Sequence, residues 1–309
     1  MKTNILICAM VTLFTLNSNA QNTPFSRFLL QVPTALHEVE DTFSFSFELG
    51  DYNGDGILDL YAIKRKGESQ KVEVHVLNGA NNFSSFLIQV PTALSSDEMG
   101  KFKLGDYNKD GKLDLYYVKT KGEPGDGKSN EVHVLNGADN FKSFLLQVKV
   151  GETVVHAGVW YAFEFRDYNG DEKLDLYTIQ ETGDGTPMEV YILSGADNFQ
   201  TTLLNTQTVL KQVYFEDNFT FTLADYNKDG KLDIYAIKGA EVESEKTEVH
   251  VVNGADNFQS FLIQTGTVLP PANYIFDFGV GDYNKDGSPD VYAIKLKDTG
   301  SGKTEVHIF

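Results

Sequence analysis

Large apolar side chains recur at every second position in five places along the chain. They are Phe43, Phe45 and Phe47; Phe102 and Leu104; Tyr161, Phe163 and Phe165; Phe219, Phe221 and Leu223; and Tyr274, Phe276 and Phe278. A period of two carried by aromatic residues predicts a β-strand with one face buried. Each stretch runs into a short acidic segment and then a second apolar run, "LDLYAIK", "LDLYYVK", "LDLYTIQ", "LDIYAIK" or "PDVYAIK". A third run follows ("EVHVL" twice, then "EVYIL", "EVHVV" and "EVHIF"), and a turn "NGANNF" or "NGADNF" leads to a fourth, such as "SFLIQV" at Ser85. The pattern predicts four antiparallel strands per unit.

The acidic segments mark the period. "DYNGDGILD" at Asp51 returns as "DYNKDGKLD" at Asp106, "DYNGDEKLD" at Asp167, "DYNKDGKLD" at Asp225 and "DYNKDGSPD" at Asp282. Five copies of a four-stranded unit predict an all-β, five-bladed β-propeller. The last copy stops after "EVHIF" and lacks a fourth strand, while "FSRFLLQVPTAL" (Phe25 to Leu36) repeats "FSSFLIQVPTAL" (Phe83 to Leu94) almost residue for residue. The N-terminal strand is therefore expected to complete the last blade and close the ring, removing the open sheet edges.

Residues 1–20 read differently. Lys2, the apolar run Ile5 to Leu16 and the small residues Ser18 and Ala20 predict a signal peptide cleaved after Ala20. The expectation is a secreted chain with one domain over 21–309, monomeric and without membrane insertion. Cys8, the only cysteine, would leave with the leader, so no disulfide holds the domain. A net charge of −18 argues against nucleic acid and anionic membrane as partners.

Of the 44 acidic residues, 15 are aspartates of the five loops, three in each. Crowded carboxylates repel one another unless a cation lies among them. Oxygen donors without His or Cys suit calcium rather than zinc or copper. The expected ligands are Asp51, Asn53, Asp55, Ile57 through its carbonyl and Asp59; Asp106, Asn108, Asp110, Lys112 and Asp114; Asp167, Asn169, Asp171, Lys173 and Asp175; Asp225, Asn227, Asp229, Lys231 and Asp233; and Asp282, Asn284, Asp286, Ser288 and Asp290. Up to five Ca2+ ions are expected, one per blade. An EF-hand would need a Glu at loop position 12, where Ala62, Tyr117, Thr178, Ala236 and Ala293 stand. Glu172 replaces the glycine of the third loop, which is expected to strain that turn and weaken its site.

The stretch "LGDYNGDGILDLYAI" resembles an FG-GAP or VCBS-type repeat, the unit whose acidic loops bind calcium in the integrin α-chain propeller. The resemblance implies calcium-binding blades and a role in binding or adhesion.

A second set of residues also keeps register: Tyr61, Tyr116, Tyr177, Tyr235 and Tyr292 on the second strand, and His75, His133, Tyr191, His250 and His307 on the third, each of the latter two residues after a Glu. An aromatic face beside planar hydrogen-bonding groups is what a sugar pocket requires, whereas the alternative is a cross-strand polar pair packed inside the ring. The polar residues recur symmetrically, while an active site needs different residues meeting once. The expectation is therefore a secreted, calcium-stabilised, multivalent carbohydrate-binding or adhesion protein and not an enzyme. The alternatives are a polysaccharide lyase or hydrolase, against which the short length per blade argues, and a purely structural propeller.

Overall fold

The computed structural model describes residues 23–40, 44–96, 100–119, 130–150, 161–180, 186–211, 219–240 and 242–309. The expected leader, together with Phe43, lies outside them. The strands form five four-stranded antiparallel sheets. The first contains β2 (Phe45–Gly50), β3 (Asp59–Lys64), β4 (Lys71–Leu77) and β5 (Phe86–Ser95); β1 (Leu30–His37) precedes it in the chain. The second contains β6 (Lys101–Gly105), β7 (Asp114–Lys119), β8 (Glu131–Leu135) and β9 (Phe144–Lys149). The third contains β10 (Tyr161–Arg166), β11 (Asp175–Gln180), β12 (Pro187–Leu193) and β13 (Thr202–Lys211). The fourth contains β14 (Phe219–Ala224), β15 (Asp233–Lys238), β16 (Glu248–Val252) and β17 (Phe261–Gly266). The fifth contains β18 (Phe276–Gly281), β19 (Asp290–Lys295) and β20 (Lys303–Ile308), with β1 as its outer strand.

The innermost strands touch in turn, β2 to β6, β6 to β10, β10 to β14, β14 to β18 and β18 back to β2, so the ring is closed. Closure keeps the register of an ordinary blade. Gln31 pairs with His307 and Val32 with Val306, as Gln89 pairs with His75 and Val90 with Val74. One expectation shifts: Tyr274 falls in a single 3-10 turn before β18 and is 46% exposed, so the alternation begins at Phe276. Among the described residues no helix is long and apolar enough to cross a membrane, which says nothing about crossing by strands.

The core sits between blades. Tyr61, Ile63, Val72 and Val74 of the first blade pack on Phe102, Leu104, Leu115 and Tyr117 of the second. Sheets covered on both faces need strands that are apolar along their length, and β3 is buried from Asp59 to Ile63. The turn after the third strand locks each blade to its neighbour. Asn78 caps it by accepting from the Ala80 amide, and Asn82 and Phe83 both take left-handed φ, 57° and 60°. The second of these turns the Phe83 ring into the core, where it is 1% exposed. Its carbonyl accepts from Ala35 N of the adjoining blade at 2.8 Å, as Phe141 does from Ala93, Phe258 from Val209 and Phe25 from Val268.

Candidate functional site

Each acidic loop joins the innermost strand to the second. In the first, Asp51 accepts from the amides of Gly54, Asp55 and Gly56 at 2.7–3.1 Å, and Asp55 accepts from Ile57 at 2.8 Å. The Asn53 amide donates to Asp55 at 2.9 Å. The same bond from position 5 to the amide at position 7 recurs in all four other loops at 2.8 Å. Positions 3 and 5 are exposed in every loop, and position 1 is partly so.

Position 9 does something else. Asp59 is fully buried, and its two oxygens accept the Tyr52 and Gly79 amides at 3.0 and 2.8 Å. Asp114, Asp175 and Asp233 repeat both bonds. They strap the loop to the turn after the third strand. Burial raises all of these carboxyls above the ordinary aspartate range and pushes Asp290 up to about 6. With position 9 turned inward, no three His, Cys, Asp or Glu side chains among the described residues converge as a metal site. What each loop offers outward is two carboxylates, one amide oxygen and the carbonyl at position 7. That is a hard-oxygen set whose chemistry fits calcium.

The repeated tyrosines and histidines lie inside the blades. Tyr61, Tyr116, Tyr177, Tyr235 and Tyr292 are at most 2% exposed, so their rings cannot stack on a sugar. His75, His133, His250 and His307 contact the Glu two residues earlier at 3.1–3.4 Å, and Tyr191 contacts Glu189 at 3.0 Å. Each histidine is held edge-on between two aromatic rings of its own blade, His75 between Phe45 and Phe86. The packed cross-strand pair, not the sugar pocket, describes these residues. Trp160 and His156 lie outside the described residues.

A different set meets once, on the innermost strands. Three residues before each loop stand Glu48, Lys103, Glu164, Thr222 and Gly279. The Lys103 ammonium lies 2.9 Å from Glu48 Oε1 and 2.8 Å from Glu164 Oε1, joining three blades. Asp277, from the fifth blade, accepts the Phe47 amide at 3.3 Å. The side chain of Glu164 is 3% exposed, whereas Glu48 and Lys103 keep 16% and 19% open. Burial pushes Glu48 up to about 7 despite the pull of Lys103, and raises Asp277. Burial alone would discharge Lys103, but Glu164 and Glu48 outweigh it and hold the ammonium well above the ordinary lysine range. Sequence reasoning missed this group because the position changes from copy to copy. That very asymmetry, Glu, Lys, Glu, Thr and Gly in one register, was the available signal.

A profile of the FG-GAP-like repeat matches residues 51–117, 106–178 and 167–236. No curated protein sequence matches the chain. Among solved structures it is similar to the catalytic domain of a Coprinopsis cinerea GH62 α-L-arabinofuranosidase, at 8% identity and a TM-score of 0.57, covering 93% of this chain and 98% of that one. It is also similar to an endo-arabinase from Bacteroides thetaiotaomicron, at 12% identity and a TM-score of 0.53, covering 93% and 96%. A thermostable family-43 glycoside hydrolase gives 11% identity, a TM-score of 0.52 and coverage of 86% and 88%. These likenesses are likenesses of fold. They correct the expectation that the chain is not an enzyme, which rested on the symmetric recurrence of its polar residues and on its length: a catalytic domain covered over 98% of its residues shows that a ring of this size is no argument against an enzyme, and Glu48, Lys103 and Glu164 are unlike residues that meet once.

Proposed function

Because the chain belongs to the FG-GAP-like repeat family and closes its repeats into a five-bladed ring, we propose that it is an exported, carbohydrate-active propeller that cleaves a glycosidic bond at the ring axis. Glu48 is the proton donor and Glu164 the second carboxylate. The observation that carries this reading is the Lys103 bridge between them. Glycoside hydrolysis uses two carboxyl groups in unlike surroundings, one protonated near neutral pH and one charged. Glu48, pushed up to about 7, keeps a proton to give to a leaving oxygen. Lys103 sets a full positive charge beside both carboxyls, and Glu48 is raised in spite of it. The fold of the similar glycoside hydrolases supports the reaction class. Carbohydrate as the ligand carries over from the sequence; the place moves from five equivalent blade clusters to one axis. The five acidic loops are assigned to calcium, which would stiffen the rim around that axis, with the carboxylates at positions 1 and 5, the Asn at position 3 and the carbonyl at position 7 as ligands.

Incubation with arabinan, arabinoxylan and a broad set of other polysaccharides, with calcium present, is expected to release new reducing ends. Glu48→Gln and Glu164→Gln should each lower the rate by about 100-fold or more, with the circular dichroism spectrum unchanged. A folded wild-type protein that cleaves none of these polymers, or variants as active as wild type, would remove the axial assignment.

A further inference from the structure

The acidic loops touch one another through position 4. The Lys109 ammonium of the second loop lies 2.6 Å from Glu172 of the third. Lys228 of the fourth loop reaches Gly287 of the fifth, its ammonium 3.1 Å from where a Cβ would stand, and Lys285 of the fifth reaches Gly56 of the first at 3.6 Å. The first and third loops carry Gly54 and Gly170 at position 4, and no other group lies within 4 Å of where a Cβ would stand at Gly111 or Gly230, the glycines they would otherwise reach. Those two recipient loops have their own lysine at position 7 instead, Lys112 and Lys231.

Counting the lysine that arrives from the preceding loop together with the one inside, the charges agree. The first, second, fourth and fifth loops each set three aspartates against a single lysine: Lys285, Lys112, Lys231 and Lys228 respectively. The third loop receives Lys109 and also holds Lys173, two lysines, and it alone has a fourth carboxylate, Glu172. Every loop therefore carries a net charge of −2. One divalent cation would neutralise each.

We infer that Glu172 is a charge-setting residue rather than a defect: it offsets Lys109, so the third loop takes calcium as readily as the other four. The inference rests on the calcium assignment above. Glu172 holds a left-handed φ of 64° where the other loops place glycine at 77–82°. A reading from backbone strain alone makes Glu172→Gly an improvement in calcium binding. Charge makes it a loss, because affinity in oxygen-ligand loops follows the charge around the ion.

Calorimetric titration of calcium into the metal-stripped full chain at neutral pH tests this. Wild type should show up to five sites of similar affinity. Glu172→Gly should weaken one site by about tenfold, the effect of one charge acting on a divalent ion at several ångströms. Lys109→Gly should tighten one site by a similar factor. The double variant Lys109→Gly/Glu172→Gly rebuilds the junction found between the third and fourth loops and should return to wild type. Both substituted positions occur elsewhere in the repeat as glycine, and unchanged thermal unfolding in chelator shows that the variants fold. If wild type binds calcium and Glu172→Gly binds it equally or more tightly, the inference is overturned and the calcium assignment stands. If wild type binds no calcium, both are overturned.

Discussion

At the scale of the residue, the axial glutamate gives the molecule a dependence on pH. Glu48 takes up its proton at about 7 when folded and near the ordinary carboxylate value when unfolded. Between those values the folded chain binds more protons, so stability falls as pH rises through that window and is lowest above it. Urea unfolding at a series of pH values should show this decline, on the order of 2 kcal/mol. Glu48→Gln should remove the upper part of the decline, toward pH 7, and leave the part due to the raised aspartates; an unchanged profile would mean that Glu48 titrates as an exposed acid. The acidic loops were legible in the sequence as tight turns because Asp, Asn and Gly at fixed spacing favour one. Glu48, Lys103, Glu164 and Asp277 were not, because alternation reports only that these positions are not part of the apolar half of a strand. Which polar side chains meet across a ring depends on where five separate strands end up, information spread over more than two hundred residues. The inward turn of Asp59 was hidden for a similar reason: its partner Gly79 lies 20 residues away.

The blade as an element was legible almost whole. Four strands, their order and the closing role of residues 30–37 all follow from periodicity and from the repeated "FLLQVPTAL" and "FLIQVPTAL". Two predictions belong here. A Cβ at Gly79 would stand 2.0 Å from the Leu58 carbonyl oxygen, so Gly79→Ala must push the turn off its blade, at a cost of about 2–3 kcal/mol in chemical denaturation. His75→Tyr copies what the third blade already does, where Tyr191 reaches Glu189, and should change stability by less than about 1 kcal/mol. A large loss for His75→Tyr would show that the histidine ring, wedged between Phe45 and Phe86, has a role the third blade has dispensed with. The difference between packed pair and sugar pocket was beyond the sequence, since both demand the same residues and only burial separates them.

At the scale of the molecule, the calcium proposed for the loops would act together with closure. Ions bound only by the folded ring stabilise it by mass action, so thermal unfolding should move to lower temperature on chelation and recover on adding calcium, whereas added magnesium should restore less. No shift under verified metal removal would leave the loops as hydrogen-bonded turns alone. The pairing of Gln31 with His307 spans 276 positions. A ribosome that has made β1, the outer strand of the fifth blade, must go on for most of the message before its partner β20 exists, so β1 travels without that partner through nearly all of synthesis. Contacts of such long range are the slowest to form, and an orphan edge invites the wrong neighbour. The contact that closes the ring is thus the last one the growing chain can make.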